Sequence, residues 1–170
     1  MSRPAPIDGN LHLLRQGVDL LERLTDTDYR DHAPERSTVG AQYRHVLDHY
    51  RCLLTGLESG LVDYDARSRA REIEEDRGAA RRDTAVVRER LHLLTHAHLS
   101  LPLRVVVAAQ SHGTPEDAHG STLGRELLFV LSHTVHHYAI IRLLLEDRGV
   151  VCASDFGVAP STLAYRRAAG

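Results

Sequence analysis

The chain contains no lysine and no tryptophan, one methionine and two cysteines among its 170 residues. Every one of its 21 basic residues is arginine, which removes Schiff-base lysine chemistry from consideration. Cys52 and Cys152 are too few for a disulfide framework, and no Cys-x-x-Cys pair occurs, so a reduced cytoplasm is the expected setting. The N-terminal "MSRPAPIDGN" lacks the charged-then-apolar pattern of a secretion signal, and no apolar run is expected to reach membrane-spanning length. A net charge of −2 gives no basic field for nucleic acid, whose phosphates are met by clustered Lys and Arg. Aromatic residues are scarce at 5%. With 42% hydrophobic and 26% charged residues, the composition is that of a globular protein, and the length suits one domain over 1–170.

Histidine is abundant instead, at 12 residues. Two stretches concentrate it: "YRHVLDHYRCLL" with His45 and His49, and "SHTVHHYAII" with His133, His136 and His137. Hydrophobic periodicity places both on helices. A first helix is expected from Asn10 to about Thr25, with Leu11, Leu14, Val18, Leu21 and Leu24 at three- and four-residue spacings and Asn10 as its cap. A polar loop with Pro34 as breaker follows. The second helix spans about Thr38 to Leu57, with Ser37 as cap and Tyr43, Val46, Leu47, Tyr50, Leu53, Leu54 and Leu57 as its apolar stripe. A long charged connection leads to a third helix over about Ala79 to His98. "LPLRVVVAAQ" reads as a short strand or an extended connection. The fourth helix begins near Thr122, capped by Ser121 or Thr122, and ends near Arg148; it is apolar nearly all round and therefore central. Residues from about 150 to 170 read as an irregular tail. These elements make an all-α, up-and-down four-helix bundle with a long connection between its second and third helices.

At about 100° per residue, Glu126, Val130, His133, His137, Ile140 and Leu144 share one stripe of the fourth helix. Two histidines at i and i+4 can hold one metal ion, and imidazole suits Zn, Ni, Fe or Cu. The same pair also fits a hydrogen-bonded core position. His45 and His49 flank their helix's apolar seam, roughly 140° and 100° from its centre, which fits either a ligand near one end of a bundle or an exposed side chain. Glu126 can accept a hydrogen bond from a ligating imidazole or serve the helix N-terminus, and His136 points to another side as support. His92 and His96 repeat the spacing on a surface helix, and His12, His32, His98, His112 and His119 fall in loops or flanks. Cys52 reads as a small buried hydrophobe.

"STVGAQYRHVLDHYRCLLTGLESGLVDYDARSR", "GRELLFVLSHTVHHYAII" and the closing "DFGVAPSTLAY" resemble the DinB-like (DinB/YfiT) superfamily of metal-binding four-helix bundles, in particular a bacterial subfamily without a well-defined reaction. The resemblance spans nearly the whole chain. It implies a divalent metal (Zn, Ni or Fe) on one histidine of the second helix and two of the fourth: His45, with His49 as fallback, and His133 with His137. Where relatives often carry a further histidine this chain has Gln42. Three protein ligands leave an open position for water or substrate. Superfamily members include transferases and isomerases that use low-molecular-weight thiols such as bacillithiol or mycothiol. The resemblance therefore implies a small-molecule substrate and a metal-dependent thiol transferase, isomerase or hydrolase. Arg44, Arg51, Arg67 and Arg69 are candidates for an acidic substrate or thiol. The alternative is a non-catalytic dimeric metal- or ligand-binding bundle. A homodimer is expected, with no nucleic acid and no membrane partner.

Overall fold

Leu11, Leu14, Leu21 and the stripe from Tyr43 to Leu54 are buried together, and they set the positions of the long helices. The computed structural model describes residues 3–31, 37–106 and 115–169. His32, Pro34 and His112 lie outside the described residues.

The chain is mostly helical. The long helices are α1 (Ala5–Arg23), α3 (Val39–Ser59), α5 (Arg77–His92) and α6 (Leu123–Glu146). Between them stand α2 (Asp26–Arg30) and α4 (Arg71–Glu75), with α7 (Pro160–Ala169) at the end. Helix α1 begins five residues before the expected Asn10, because proline in its first turn needs no backbone N–H partner there. Asn10 is therefore no cap. It is fully buried inside the helix, donating to the carbonyls of Pro6 (2.7 Å) and Leu127 (2.9 Å) and accepting from the Tyr50 hydroxyl (2.7 Å). Thr38, rather than Ser37, caps α3 by accepting from the Ala41 N–H at 2.9 Å. Gly60 ends the helix at φ +73, a left-handed position natural to glycine. Thr122 caps α6 as expected. Helix α5 stops at His92, short of the expected His98, and the expected irregular tail contains α7.

Helix α6 packs on α1 and α3, and α5 packs on the same two helices from the other side. So α1 and α3, which follow one another in the chain, face each other across the core, whereas a simple up-and-down order would make them neighbours. The connection between α3 and α5 carries β1 (Leu61–Asp63) and α4. Strand β1 pairs in parallel with β2 (Pro102–Val106), Val62 opposite Val105. Strand β2 pairs antiparallel with β3 (His119–Thr122), Leu103 opposite Ser121. This small sheet covers the α3/α6 face near its β3 end and delivers Tyr64 and Ser121 to it.

One expectation about apolar runs is corrected. By length and composition α6 is long and apolar enough to cross a membrane, since 24 residues at about 1.5 Å each span roughly 36 Å. Its mean hydropathy reaches that level because leucine, isoleucine and valine fill most of the turns between its polar residues.

Candidate metal centre

Packing α3 against α6 brings two i, i+4 histidine pairs face to face. His45 Nε2 lies 3.1 Å from His133 Nε2, and one ring nitrogen each of His45, His49 and His133 falls within 4.8 Å of the others. His137 joins them, its ring centroid 4.4 Å from those of both His45 and His133. The His49 and His133 rings are 3.9 Å apart. The nitrogens that converge are thus those of His45, His133 and His49, which sequence reasoning held in reserve, while His137 lies against them through its ring. His136 is exposed and meets the edge of the His137 ring at 5.1 Å. His12, His92, His96 and His119 are exposed, and His98 accepts from Thr95 within its own turn, so none of these belongs to the cluster.

His49 is nearly fully buried although it lies well off its helix's apolar seam. The cause is a wall that helical periodicity does not reveal: Tyr64, just after β1, stacks on the His49 ring at 5.4 Å, with the planes 23° apart. Glu126 serves the cluster through that tyrosine, with no hydrogen bond to an imidazole among the described residues. Its fully buried carboxylate accepts from the Tyr64 hydroxyl (2.9 Å), Ser121 Oγ (2.5 Å) and Arg125 Nη1 (3.0 Å).

Hydrogen bonds at the far side of two rings decide where their lone pairs point. His49 Nδ1 lies 2.9 Å from the His45 backbone oxygen, which can only accept, so Nδ1 carries the proton and Nε2 is bare. His137 Nδ1 lies 2.6 Å from Gln42 Oε1. Electrostatics agree with neutral rings. Burial pushes His45 down to about 3, helped by repulsion from His49 and His137 and by Arg67 and Arg44. His133 falls to about 3 and His137 to about 4, burial again leading, with neighbouring histidines next. His49 is lowered too, mainly by burial.

The donor set fits a borderline divalent cation. Neutral imidazoles present lone pairs at neutral pH without prior proton loss. Two nitrogens sharing a tetrahedral zinc at about 2.0–2.1 Å stand roughly 3.3 Å apart, close to the His45–His133 separation. The arginine candidates separate clearly. Arg44 is tied to Asp48 (2.9 Å) and Glu74 (3.0 Å), and Arg51 approaches Asp83 at 3.8 Å. Arg69 is exposed with a positive φ of 48°. Arg67, half-buried, acts on His45, His49 and Cys52. Burial, with Asp48 and Asp63, pushes the Cys52 thiol up to about 11, so it is no resting thiolate.

Comparison with known proteins places this geometry in a lineage. The chain is 28% identical over 154 residues to "FK506-binding protein 5" of Rhizopus delemar, a match covering 90% of this chain and 36% of that protein. The chain thus spans about a third of the length of the curated relative it matches. The family model of the DinB superfamily matches residues 14–141, which include both histidine pairs, all of α3 and α6 as far as Ile141; the chain belongs to the DinB superfamily.

Proposed function

We propose that this chain binds a divalent metal (zinc, nickel or iron) through three of its clustered histidines, His45, His133 and His137, with His49 as the alternative ligand of α3, and uses it as a metal-dependent enzyme on a small molecule. The convergence of uncharged imidazole nitrogens from α3 and α6 within 4.8 Å carries the reading. Such an ion, when bound, supplies Lewis acidity and lowers the pKa of a coordinated water or thiol. The reaction class we favour is thiol transfer or thiol-assisted isomerisation, followed by hydrolysis. The high pKa of Cys52 supports an external low-molecular-weight thiol over the chain's own. A cleft of about 310 Å³, lined by Asp48, Cys52, Ser59, Asp63 and Ser68 among others, runs one turn along α3 from His49. Arg67 sits between two of its wall residues, Ala66 and Ser68. Its guanidinium, which acts on His45 and His49 and is not itself part of the cleft lining, is the cation we propose for an acidic group on the substrate.

The same proposal takes the four long helices as a DinB-type four-helix bundle, acting in the cytoplasm as a homodimer. Leu128 and Leu143, exposed on α6, support the dimer. Without a reaction, the protein would be a non-catalytic dimeric metal- or ligand-binding bundle.

Purification without an affinity tag, followed by mass-spectrometric metal analysis, tests the reading in wild type and in His45→Ala/His133→Ala. Wild type should hold close to one equivalent and the double variant none. A wild-type protein that is empty and gains no thermal stability from added Zn, Ni or Fe would sink the metal assignment. Titrating small thiols into a cobalt-substituted site tests the reaction class; a thiolate band supports transfer, and its absence with every thiol favours hydrolysis or the non-catalytic bundle.

A further inference from the structure

Of the four clustered imidazoles, His49 and His137 have a hydrogen bond at the far ring nitrogen, and the two bonds differ in kind. The acceptor for His49 is a backbone oxygen of its own helix, which no substitution removes. The acceptor for His137 is a side chain on the facing helix: Gln42 Oε1, at 2.6 Å from Nδ1. Gln42 stands three residues before His45, one turn outward along α3. Its amide is itself held, because Nε2 lies 3.0 Å from Ser37 Oγ and donates to it. That second bond holds the amide in place; a serine hydroxyl accepts as readily as it donates, so the end facing His137 is read from the Oε1–Nδ1 contact itself, and the two ends of a Gln amide ask opposite things of an imidazole. With Oε1 toward His137, Nδ1 must carry the proton and Nε2 keeps its lone pair. With the amide turned over, the NH₂ donates to Nδ1 and the proton moves to Nε2, on the side of His45 and His133. A ring protonated there cannot ligate.

We propose that Gln42, anchored by Ser37, is the positioning residue that fixes His137 as the Nδ1–H tautomer and so makes its Nε2 available to the metal. This rests on the metal reading above. It adds a rule for the site: one ligand of α6 is selected by a side chain of α3, so the two helices must be docked before the ligand set is complete. Carboxylates and backbone carbonyls commonly orient ligating histidines in this way, and losing such a partner typically costs about 10- to 100-fold in metal affinity.

Long-range ¹⁵N–¹H spectra of the histidine rings, recorded on metal-free protein at pH 8, read the tautomer directly. His137 is assigned from the spectrum missing in His137→Gln. Wild type and Gln42→Glu, which keeps an acceptor, should both show Nδ1–H. Gln42→Leu and the near-isosteric Gln42→Met, which lack one, should shift His137 toward Nε2–H. Zinc affinity by chelator competition should fall about 10- to 100-fold in the Leu and Met variants and hold in the Glu variant. Ser37→Ala should show a partial shift of the same sign. A wild-type His137 already protonated at Nε2 overturns the proposal, as does an unchanged His137 spectrum in both Leu and Met. The two readings fail separately. Protein that binds no zinc in any form defeats the metal assignment while the tautomer is still read. A shifted tautomer with unchanged zinc affinity keeps Gln42's hold on the ring but removes His137 from the ligand set.

Discussion

Glu126→Gln gives the sharpest test of how the histidine cluster is supported. The carboxylate is fully buried and accepts three hydrogen bonds, from Tyr64, Ser121 and Arg125. Arg125 is 65% exposed, so water compensates much of its loss and its share is small. Tyr64 is 2% exposed and Ser121 half-buried, so their donors depend on this acceptor. Glutamine preserves the shape but replaces one oxygen by an NH₂, which cannot accept from either. The hydroxyl that meets the NH₂ must turn round and accept from it, so a charge-assisted bond of about 1.5–3 kcal/mol becomes a neutral one of about 0.5–1.5. We expect a loss of about 1–2 kcal/mol in urea unfolding. For a chain of this size that lowers Tm by roughly 2–8 °C, at about 2–4 °C per kcal/mol. Tyr64→Phe removes the donor instead and leaves the carboxylate two partners, so it should cost less. The double variant should lose clearly less than the sum of the singles, because both remove the same bond.

The site readout separates support from ligation. Glu126 reaches the cluster only through Tyr64 stacked on His49. Its removal should weaken zinc binding by about tenfold, the low end for residues behind a ligand, and leave the metal equivalents near one under saturating zinc. Stability within about 0.5 kcal/mol of wild type, the scale of an ordinary surface substitution, would refute the buried-acceptor reasoning. Complete loss of zinc, as expected for His45→Ala/His133→Ala, would refute the indirect role.

In metal-free protein the buried histidines should make stability fall with acid. The unfolded chain takes up protons near pH 6.5, whereas folded His45 and His133 resist until about 3 and His137 until about 4. The unfolded state binds more protons in that window, so stability is fully present above about pH 6.5 and is lost as pH drops toward 3. A urea midpoint that stays flat between pH 7.5 and 4.5 contradicts this. Asn10→Ala removes the acceptor of the buried Tyr50 hydroxyl, which keeps only Thr134 Oγ1 at 3.3 Å, and a second donor to the Leu127 carbonyl, already inside α6; it should cost about 1–3 kcal/mol, and a change below about 0.5 kcal/mol, the scale of a surface substitution, would show that the layer rearranges. Gly157→Ala meets a φ of +69 and places a Cβ 2.7 Å from the Ala139 nitrogen and 2.8 Å from the Tyr138 carbonyl carbon. About 1–2 kcal/mol of backbone strain plus a steric shift should lower Tm measurably, and a variant as stable as wild type would contradict the close approach.

The long helices were legible because their apolar stripes repeat over many turns: Leu11 to Leu24 for α1, Tyr43 to Leu57 for α3, and α6 nearly all round. Asn10 misled because an Asn just before an apolar run has the signature of a cap, while its true work, joining three helices, depends on residues 40 and 117 positions away. The strands β1 and β3 hold three and four residues, too short for period-two alternation to emerge. His49 was underweighted for a related reason. Its angle from the apolar seam is correct, but the seam is not the only covered face of α3; Tyr64 arrives from the connection and closes another. Gln42 drew notice only as a missing histidine, because its value lies in a bond across 95 residues.

The histidine cluster and the core beneath it share one register of α3 against α6. Tyr50 follows His49 and Thr134 follows His133, and each turns about 100° from its histidine into the bundle. There Tyr50 donates to Asn10, and Thr134 Oγ1 lies 3.3 Å from the Tyr50 hydroxyl while donating to the Val130 carbonyl at 2.8 Å. A slide of one helix along the other by a single residue, about 1.5 Å, would misplace these contacts and the His45–His133 pair together. Hydrophobic packing alone tolerates such slides, because leucines substitute for one another with little loss. A buried polar chain does not, since each member left without a partner costs about 1–3 kcal/mol. The Asn10–Tyr50–Thr134 layer therefore supplies what the leucines cannot: a single axial alignment in which His45 Nε2 and His133 Nε2 stand 3.1 Å apart before any ion arrives.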